Sequence, residues 1–319
     1  HLSNKNIMNA KIPMLLLMGC TASGKSKLAF DIAQKLSGEI ISVDSMKVYR
    51  QMDIGTAKPS LANRQAVKHH LIDVVDACEP YGIGPFMAAA DSAIKSCNAL
   101  QRPIIAAGGT GMYLRGLLEG LFESPPASQS LRDNYQTIFD ASGSAPLHTT
   151  LAEVDPAGAQ RIHSNDFKRI SRALEVFELT GKPIASFQTQ FKSGEYKYPW
   201  TVIEIKRDKA DASSRINQRV KKMIEDGLIA EVDMLIASGL SQQAAQAVGY
   251  AEIIKYRNNE YTLDEAIERI KINSRRLAKH QRTWFRSFNG VLQYNVAPDD
   301  TVADVSERIM ADLNNKGII

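Results

Sequence analysis

Apolar positions along this chain fall into two patterns, short unbroken runs and longer stretches with helical periodicity, and the two alternate. Residues 12–18, 39–43, 104–107 and 200–205 are short, mostly apolar and bounded by Gly, Pro or Asp, which predicts buried strands. Residues 27–36 and 86–100 repeat apolar side chains at helical spacing between those runs, so the first third reads strand, helix, strand, helix, strand. That alternation predicts a doubly wound α/β fold with a parallel sheet. The pattern changes at Ser124-Pro125-Pro126. From residue 128 to about 181 it is helical, with breaks at Gly143, Pro146, Pro156 and Gly181-Lys182-Pro183 and no strand-like run. Residues 200–205 return the chain to the sheet, and a short strand and a tail helix follow Asn289. The predicted organisation is a core over 10–123 and 197–319, interrupted by a helical insertion domain over 124–196.

The first predicted strand runs into Gly19-Cys20-Thr21-Ala22-Ser23-Gly24-Lys25-Ser26, and a helix pattern follows at once. Strand, glycine-rich turn and helix in that order form the context of a phosphate-binding loop. Gly19 and Gly24 let the backbone turn its N–H groups and the positive end of the helix toward an anion. Lys25 adds a mobile charge, and Ser26 a hydroxyl suited to Mg2+. The second strand delivers Asp44 at its carboxyl end, where ligands of parallel α/β sheets bind. By position alone Asp44 belongs near the phosphate loop, and its plain readings are a helix cap or a magnesium contact. The third strand ends in Gly108-Gly109-Thr110-Gly111, which predicts close approach of backbone to a ligand, or a plain strand-to-helix turn.

The 319 residues, 44% of them apolar, suffice for a large core, and a formal charge of +4 permits a nucleic-acid partner without requiring one. Location matters more than the total. Basic residues recur beside an apolar face over 166–176. Arg215 and Arg219 share a helix face, and Arg275, Lys279, Arg282 and Arg286 form a stripe opposite Leu277 and Trp284. Cys20, Cys78 and Cys97 form no paired motif, so a reducing cytoplasm is expected and a disulfide framework is not. Adjacent His69 and His70 have no acidic or cysteine partner at ligand spacing, which argues against a metal there. The run 12–18 is too short to span a bilayer, and Met8 is the expected native start.

Several blocks together resemble a family. They are residues 19–26; 41–45 leading into Val48-Tyr49; Met52-Asp53-Ile54-Gly55-Thr56-Ala57-Lys58-Pro59; Gly108-Gly109-Thr110; Asp155-Pro156 with 161–163; Asn165-Asp166; 169–176; and Val248-Gly249-Tyr250. In this order, over residues 12–288, the chain resembles the tRNA dimethylallyltransferases of bacterial type. The resemblance implies a P-loop NTPase-like fold. It also implies transfer of the dimethylallyl group of dimethylallyl diphosphate to the exocyclic amine of the adenosine just 3′ of a tRNA anticodon. Asp44 would accept the proton, while Thr21, Arg219, Lys25, Ser26 with Mg2+ and the loop of residues 19–26 would receive the leaving diphosphate. Contact with the tRNA anticodon stem-loop is implied for Asp44, Ser45, Met46, Lys47, Thr110, Arg132, Lys168, Arg169, Ile170, Ser171, Arg172, Gln246, Ala247, Val248, Gly249, Tyr250 and Ala251. Lys168, Ala251 and His280 depart from the side chains common in the family. A cytoplasmic monomer without membrane contact is expected. Two other readings share the phosphate loop, an enzyme prenylating free adenine nucleotides and a nucleoside-triphosphate-dependent kinase.

Overall fold

The computed structural model describes residues 12–121, 125–187 and 195–319; Met8 and the expected boundary at 123/124 lie outside them. The chain separates into two compact units, one formed by the residues up to Leu118 together with Lys197–Ile319, the other by Glu119–Tyr196.

The first unit is built on the strands β1 (Met14–Gly19), β2 (Glu39–Val43), β3 (His69–His70), β4 (Ile104–Gly108), β5 (Thr201–Arg207) and β6 (Leu292–Val296). They form one sheet in the order β3-β2-β4-β1-β5-β6, with every pairing parallel. Helices α1 (Lys25–Leu36), α2 (Leu61–Ala66), α3 (Ile83–Ala99) and α4 (Gly111–Glu119) belong to its first half. All six residues of β1 are buried, because a central parallel strand is covered on both faces and has no use for polar alternation. Leu15, Leu17, Leu28, Ile32, Ile105, Ile203 and Ile309 share one apolar cluster in this unit. The predicted strands are all present; the two-residue β3 is an addition, too short for periodicity to reveal.

The second unit holds α5 (Gln129–Ser142), α6 (Ala145–Val154), α7 (Pro156–Arg161) and α8 (Phe167–Thr180) around a core that includes Tyr135, Leu151, Ile170 and Leu174. The sequence breaks act as helix punctuation: Asp155 caps α7 by accepting the Gly158 N–H, and Gly181 closes α8 in the left-handed region.

Returning to the first unit, α9 (Lys209–Glu225), α10 (Leu228–Ser238), α11 (Gln242–Ala245), α12 (Tyr250–Arg257), α13 (Leu263–Phe285) and α14 (Val302–Asn315) complete the chain. Consecutive parallel strands all end on the same side of the sheet, so the segments after Gly19, Val43 and Gly108 converge there. Since β4 lies between β2 and β1, the turn after Gly108 stands between the phosphate loop and Asp44.

Candidate active site

A cavity of about 1300 Å³ opens at this end of the sheet, and Thr21, Gly24, Lys25, Ser26, Asp44 and Arg219 all line it. The phosphate loop is shaped from within and from outside. Gly24 sits at φ +92°, a conformation costly for any side chain, and a Cβ on Gly19 would come within 2.6 Å of the Ser23 hydroxyl. From outside, Arg207 Nε donates to Ser23 O at 3.0 Å, and Arg215 Nε to Ala22 O at 3.2 Å. Arg219 Nη1 donates to Thr21 Oγ1 at 3.0 Å. Because that oxygen accepts from arginine, the Thr21 hydroxyl hydrogen is left to point at an anion.

Positive charge is concentrated here at a cost. Burial, reinforced by neighbouring Lys47, pulls the Lys25 ammonium down to about 8, with Asp44 opposing the shift. Burial also lowers Lys47, partly offset by Asp44, and lowers Arg219 with Asp44 again opposing. A site that crowds three desolvated cations around one carboxylate is under-neutralised, and a bound polyanion relieves it.

Asp44 takes a capping role of the kind its position suggested. Its Oδ1 accepts the N–H groups of Met46 at 2.9 Å and Lys47 at 3.2 Å, which folds the turn after β2. The Ser45 N–H is taken by Thr110 Oγ1 at 3.1 Å. Asp44 is thus fixed through one oxygen and through its neighbour, while its Oδ2 accepts no hydrogen bond from the described residues. A carboxylate held this way can accept a proton without losing its position.

The glycines at the end of β4 each have a packing neighbour that the sequence did not show, and Gly109 and Gly111 also line the cavity. A Cβ on Gly108 would lie 2.0 Å from Val43 O, so Gly108 lets β2 and β4 converge. One on Gly109 would meet Gln281 Nε2 at 2.4 Å, and one on Gly111 would enter the Trp284 ring at 2.4 Å. Those glycines admit α13. Leu277, expected on a packing stripe, is instead 40% exposed and lines the cavity with Trp284, because α13 turns this face to the open end.

The block 52–59 and the segment 246–251 lock together. Buried Glu231 of α10 accepts the N–H groups of Asp53 at 3.0 Å, Ile54 at 2.8 Å and Gly55 at 3.2 Å, and the Tyr250 hydroxyl at 2.6 Å. Gly55 must lack a side chain, since a Cβ would sit 2.4 Å from the Tyr250 ring. Lys58 is buried and bonds Tyr49 O, Asp53 and Asp73. Tyr250, placed among the RNA contacts by resemblance, is fully buried and braces this loop; Gly249 and Ala247 are likewise buried. Gln246 is exposed, and Val248 and Ala251 are half-buried. Glu252 shapes the same segment by accepting the Gly249 N–H at 2.7 Å and Asn273 Nδ2 at 2.6 Å.

In the helical unit Lys168 and Arg169 are exposed and Ser171 is half-buried, but Ile170 is fully buried in the core, so its side chain is a packing element. Arg132 and Arg172 both pair with Glu175, whose side chain is 1% exposed. Burial alone would raise Glu175, yet the two guanidinium groups and the Ser128 N–H hold it below the usual carboxylate range. Both arginines therefore neutralise a buried charge; Arg172 lies three residues from Glu175, but Arg132 lies 43 away, which spacing does not reveal.

His70 also differs from expectation. The fold brings Glu39 to its Nε2 at 2.6 Å, with Cys97 Sγ 3.4 Å from the same carboxylate. Arg102 at 2.8 Å and Lys68 at 3.4 Å already supply Glu39 with cations, which disfavours a dication. The three groups form a hydrogen-bonded cluster holding β2, β3 and α3.

Sequence reasoning missed Gln281, Arg207 and Glu231, polar residues embedded in helix or strand patterns. Their partners Thr21, Ser23 and Gly55 lie 260, 184 and 176 residues away, and the one available signal was a buried-type polar residue on an otherwise apolar face.

Comparison with known proteins places this geometry. The family described as IPP transferase matches residues 47–288, and that described as isopentenyl transferase matches residues 12–76. A tRNA dimethylallyltransferase of Carboxydothermus hydrogenoformans is 41% identical over 306 residues, covering 95% of this chain and 98% of the relative. Another, tRNA dimethylallyltransferase 2 of Geotalea daltonii, is 41% identical over 283 residues, covering 88% and 87%. Among solved structures, a full-length tRNA isopentenylpyrophosphate transferase of Bacillus halodurans superposes with a TM-score of 0.69 at 35% identity, covering 96% of this chain and 98% of that one. A eukaryotic dimethylallyltransferase acting on tRNA gives 0.81 at 26% identity, covering 95% and 79%.

Proposed function

The chain belongs to the tRNA dimethylallyltransferase (IPP transferase) family, and from that membership we propose how its cavity works. The enzyme transfers the dimethylallyl group of dimethylallyl diphosphate to the exocyclic N6 amine of adenosine in tRNA. We place the target just 3′ of the anticodon, and the enzyme in the cytoplasm as a monomer. No helix among the described residues is long and apolar enough to cross a membrane.

The chemistry explains the residue types. An adenine amine is a weak nucleophile because its lone pair is delocalised into the ring. As N6 attacks C1 of the prenyl group, the C1–O bond breaks, diphosphate leaves with the bonding pair, and the N6 proton passes to Asp44. Charge accumulates on diphosphate as that bond breaks, so Lys25, Arg219, the Thr21 hydroxyl and the N–H groups of the loop act most strongly in the transition state. Ser26 is exposed at the start of α1 and lines the same cavity, an oxygen donor suited to Mg2+. The ion, when bound, neutralises part of the diphosphate charge. The phosphate loop then serves a leaving group and not nucleotide hydrolysis.

A base within an anticodon loop must leave its stack to reach this cavity, at roughly a few kcal/mol. Phosphate contacts from basic side chains would offset that cost. Exposed Lys168 and Arg169, half-buried Arg275 and exposed Lys279 are suited to this role.

One observation carries the reading: the cation-lined loop and the tethered Asp44 open into one cavity. The test is incubation of tRNA with enzyme, dimethylallyl diphosphate and Mg2+, followed by mass spectrometry of the nucleosides. N6-dimethylallyladenosine in tRNA is expected, with AMP a poor acceptor and negligible ATP turnover. Efficient modification of AMP with none in tRNA would replace the reading by a free-nucleotide prenyltransferase, and ATP turnover without RNA by a kinase.

A further inference from the structure

We propose that Gln281 is a positioning residue for the transfer reaction, its carboxamide fixing the spacing between the loop that receives diphosphate and the turn that supports Asp44. The proposal rests on the roles given above to those two segments. Gln281 lies in α13, far in sequence from both. Its Oε1 accepts the Thr21 N–H at 2.8 Å, and its Nε2 donates to Gly109 O at 3.1 Å. An N–H can only donate and a carbonyl can only accept, so the orientation of the amide is dictated by its two partners.

Three features make this bridge more than incidental packing. First, β4 lies between β1 and β2 in the sheet, so the turn carrying Gly109 stands directly between the two reacting ends. Thr110, next in the chain, accepts the Ser45 N–H, and Ser45 adjoins Asp44. A continuous set of bonds therefore runs from Thr21 through Gln281, Gly109 and Thr110 to the base. Second, the bridge needs the glycine: a Cβ on Gly109 would meet Nε2 at 2.4 Å and push the amide off its bond. Third, Trp284 sits one helical turn further on, fills the space over Gly111 and is covered by the Arg115 guanidinium, 4.8 Å from the ring centre. The helix is thus seated at two points on one face, Gln281 and Trp284.

The bridge also divides labour at Thr21. Its N–H is spent on Gln281, so the residue meets the leaving group through its hydroxyl, which Arg219 orients. Releasing Gln281 frees the loop from the turn. Reacting atoms separated by an extra ångström lose on the order of a hundredfold in rate.

The substitution Gln281→Met keeps length and packing while removing both bonds, and Gly109→Ala intrudes on the same contact from the other side. Each should lower the single-turnover transfer rate by about 30- to 100-fold. The KM for dimethylallyl diphosphate and the Kd for tRNA should stay within about threefold, because Lys25, Arg219 and the basic side chains that hold the two substrates are retained. The double variant should be no slower than the worse single, since both break one contact. A rate within twofold of wild type, a loss confined to KM, Kd or Tm, or additive effects in the double variant would each overturn the proposal. Should Gln281→Met not fold to the wild-type circular dichroism spectrum, Gln281→Glu decides. It keeps an acceptor for Thr21 but cannot donate to Gly109, so a rate loss with KM maintained supports the bridge and a wild-type rate refutes it. The wild-type enzyme is measured alongside: absence of transfer by it would refute the function itself, not the role of Gln281.

Discussion

Replacing Tyr250 by Phe asks whether the segment 246–251 is a reading surface or a brace. The Tyr250 side chain is fully buried, and its hydroxyl donates to Glu231 Oε1 at 2.6 Å. Glu231 also holds the N–H groups of residues 53–55, so the substitution unpairs one bond of a four-donor carboxylate while leaving the ring in place against Gly55. Burial and the adjacent carboxylate push the phenol far above its ordinary range, so it remains the donor at every working pH. A hydrogen bond to a charged group contributes about 1.5–3 kcal/mol. Stability at neutral pH should fall by that amount, and Tm by about 3–12 °C for a unit of this size. Urea unfolding gives the first figure and calorimetry the second; tRNA affinity, measured at a temperature where the variant is folded, should stay within about twofold. In a cycle with Glu231→Gln the two losses should couple by more than about 0.5 kcal/mol. Unchanged stability together with weakened tRNA binding would refute the bracing role and return Tyr250 to the RNA contacts.

Two further outcomes follow from the charges. Lys25, held near 8 in the free enzyme, must be protonated to attract diphosphate, and the bound anion raises it again, so binding takes up a proton above that pH. Affinity for dimethylallyl diphosphate, measured by calorimetry, should be level below about pH 7 and weaken by up to about tenfold per unit above 8, and Lys25→Arg should lose that alkaline limb. An identical limb in Lys25→Arg would assign the titration elsewhere. Arg172→Ala leaves buried Glu175 with Arg132 as its remaining guanidinium partner and should destabilise the helical unit by about 1.5–3 kcal/mol. Because Glu175 is held below its ordinary value, that stabilisation is present above the unfolded carboxylate pKa and is lost as pH falls through the folded one. A variant as stable as wild type at pH 7 would show that Arg132 alone satisfies Glu175.

What the sequence disclosed depended on how local each feature is. The phosphate loop is one strand, turn and helix in continuous sequence, and Asp44 ends a strand whose place in a parallel sheet fixes which side it faces; both were legible. The purpose of the glycines was not. Gly55, Gly108, Gly109 and Gly111 each have a close partner on another element, namely Tyr250, Val43, Gln281 and Trp284, which no local rule about turns or ligand approach could reveal. Charged residues hid a partner for the same reason. Arg172 read as part of a basic face, and its pairing with Glu175, shared with Arg132, was masked because Glu175 belongs to the apolar face of α8. The cluster of Glu39, His70 and Cys97 assembles residues 27 to 58 apart, beyond the reach of ligand-spacing rules.

The central claim is that Asp44 accepts the proton while the loop accepts the diphosphate. Asp44→Asn tests it most directly, because the amide oxygen can still receive the Met46 and Lys47 N–H groups and so preserve the turn. Rapid-quench single-turnover transfer from labelled dimethylallyl diphosphate to tRNA should slow by about 10²–10⁴-fold. Affinity for tRNA should be nearly unchanged, and affinity for diphosphate equal or tighter in a cradle relieved of one negative charge. A wild-type chemical rate in Asp44→Asn, or a defect lying entirely in substrate binding, would contradict the account.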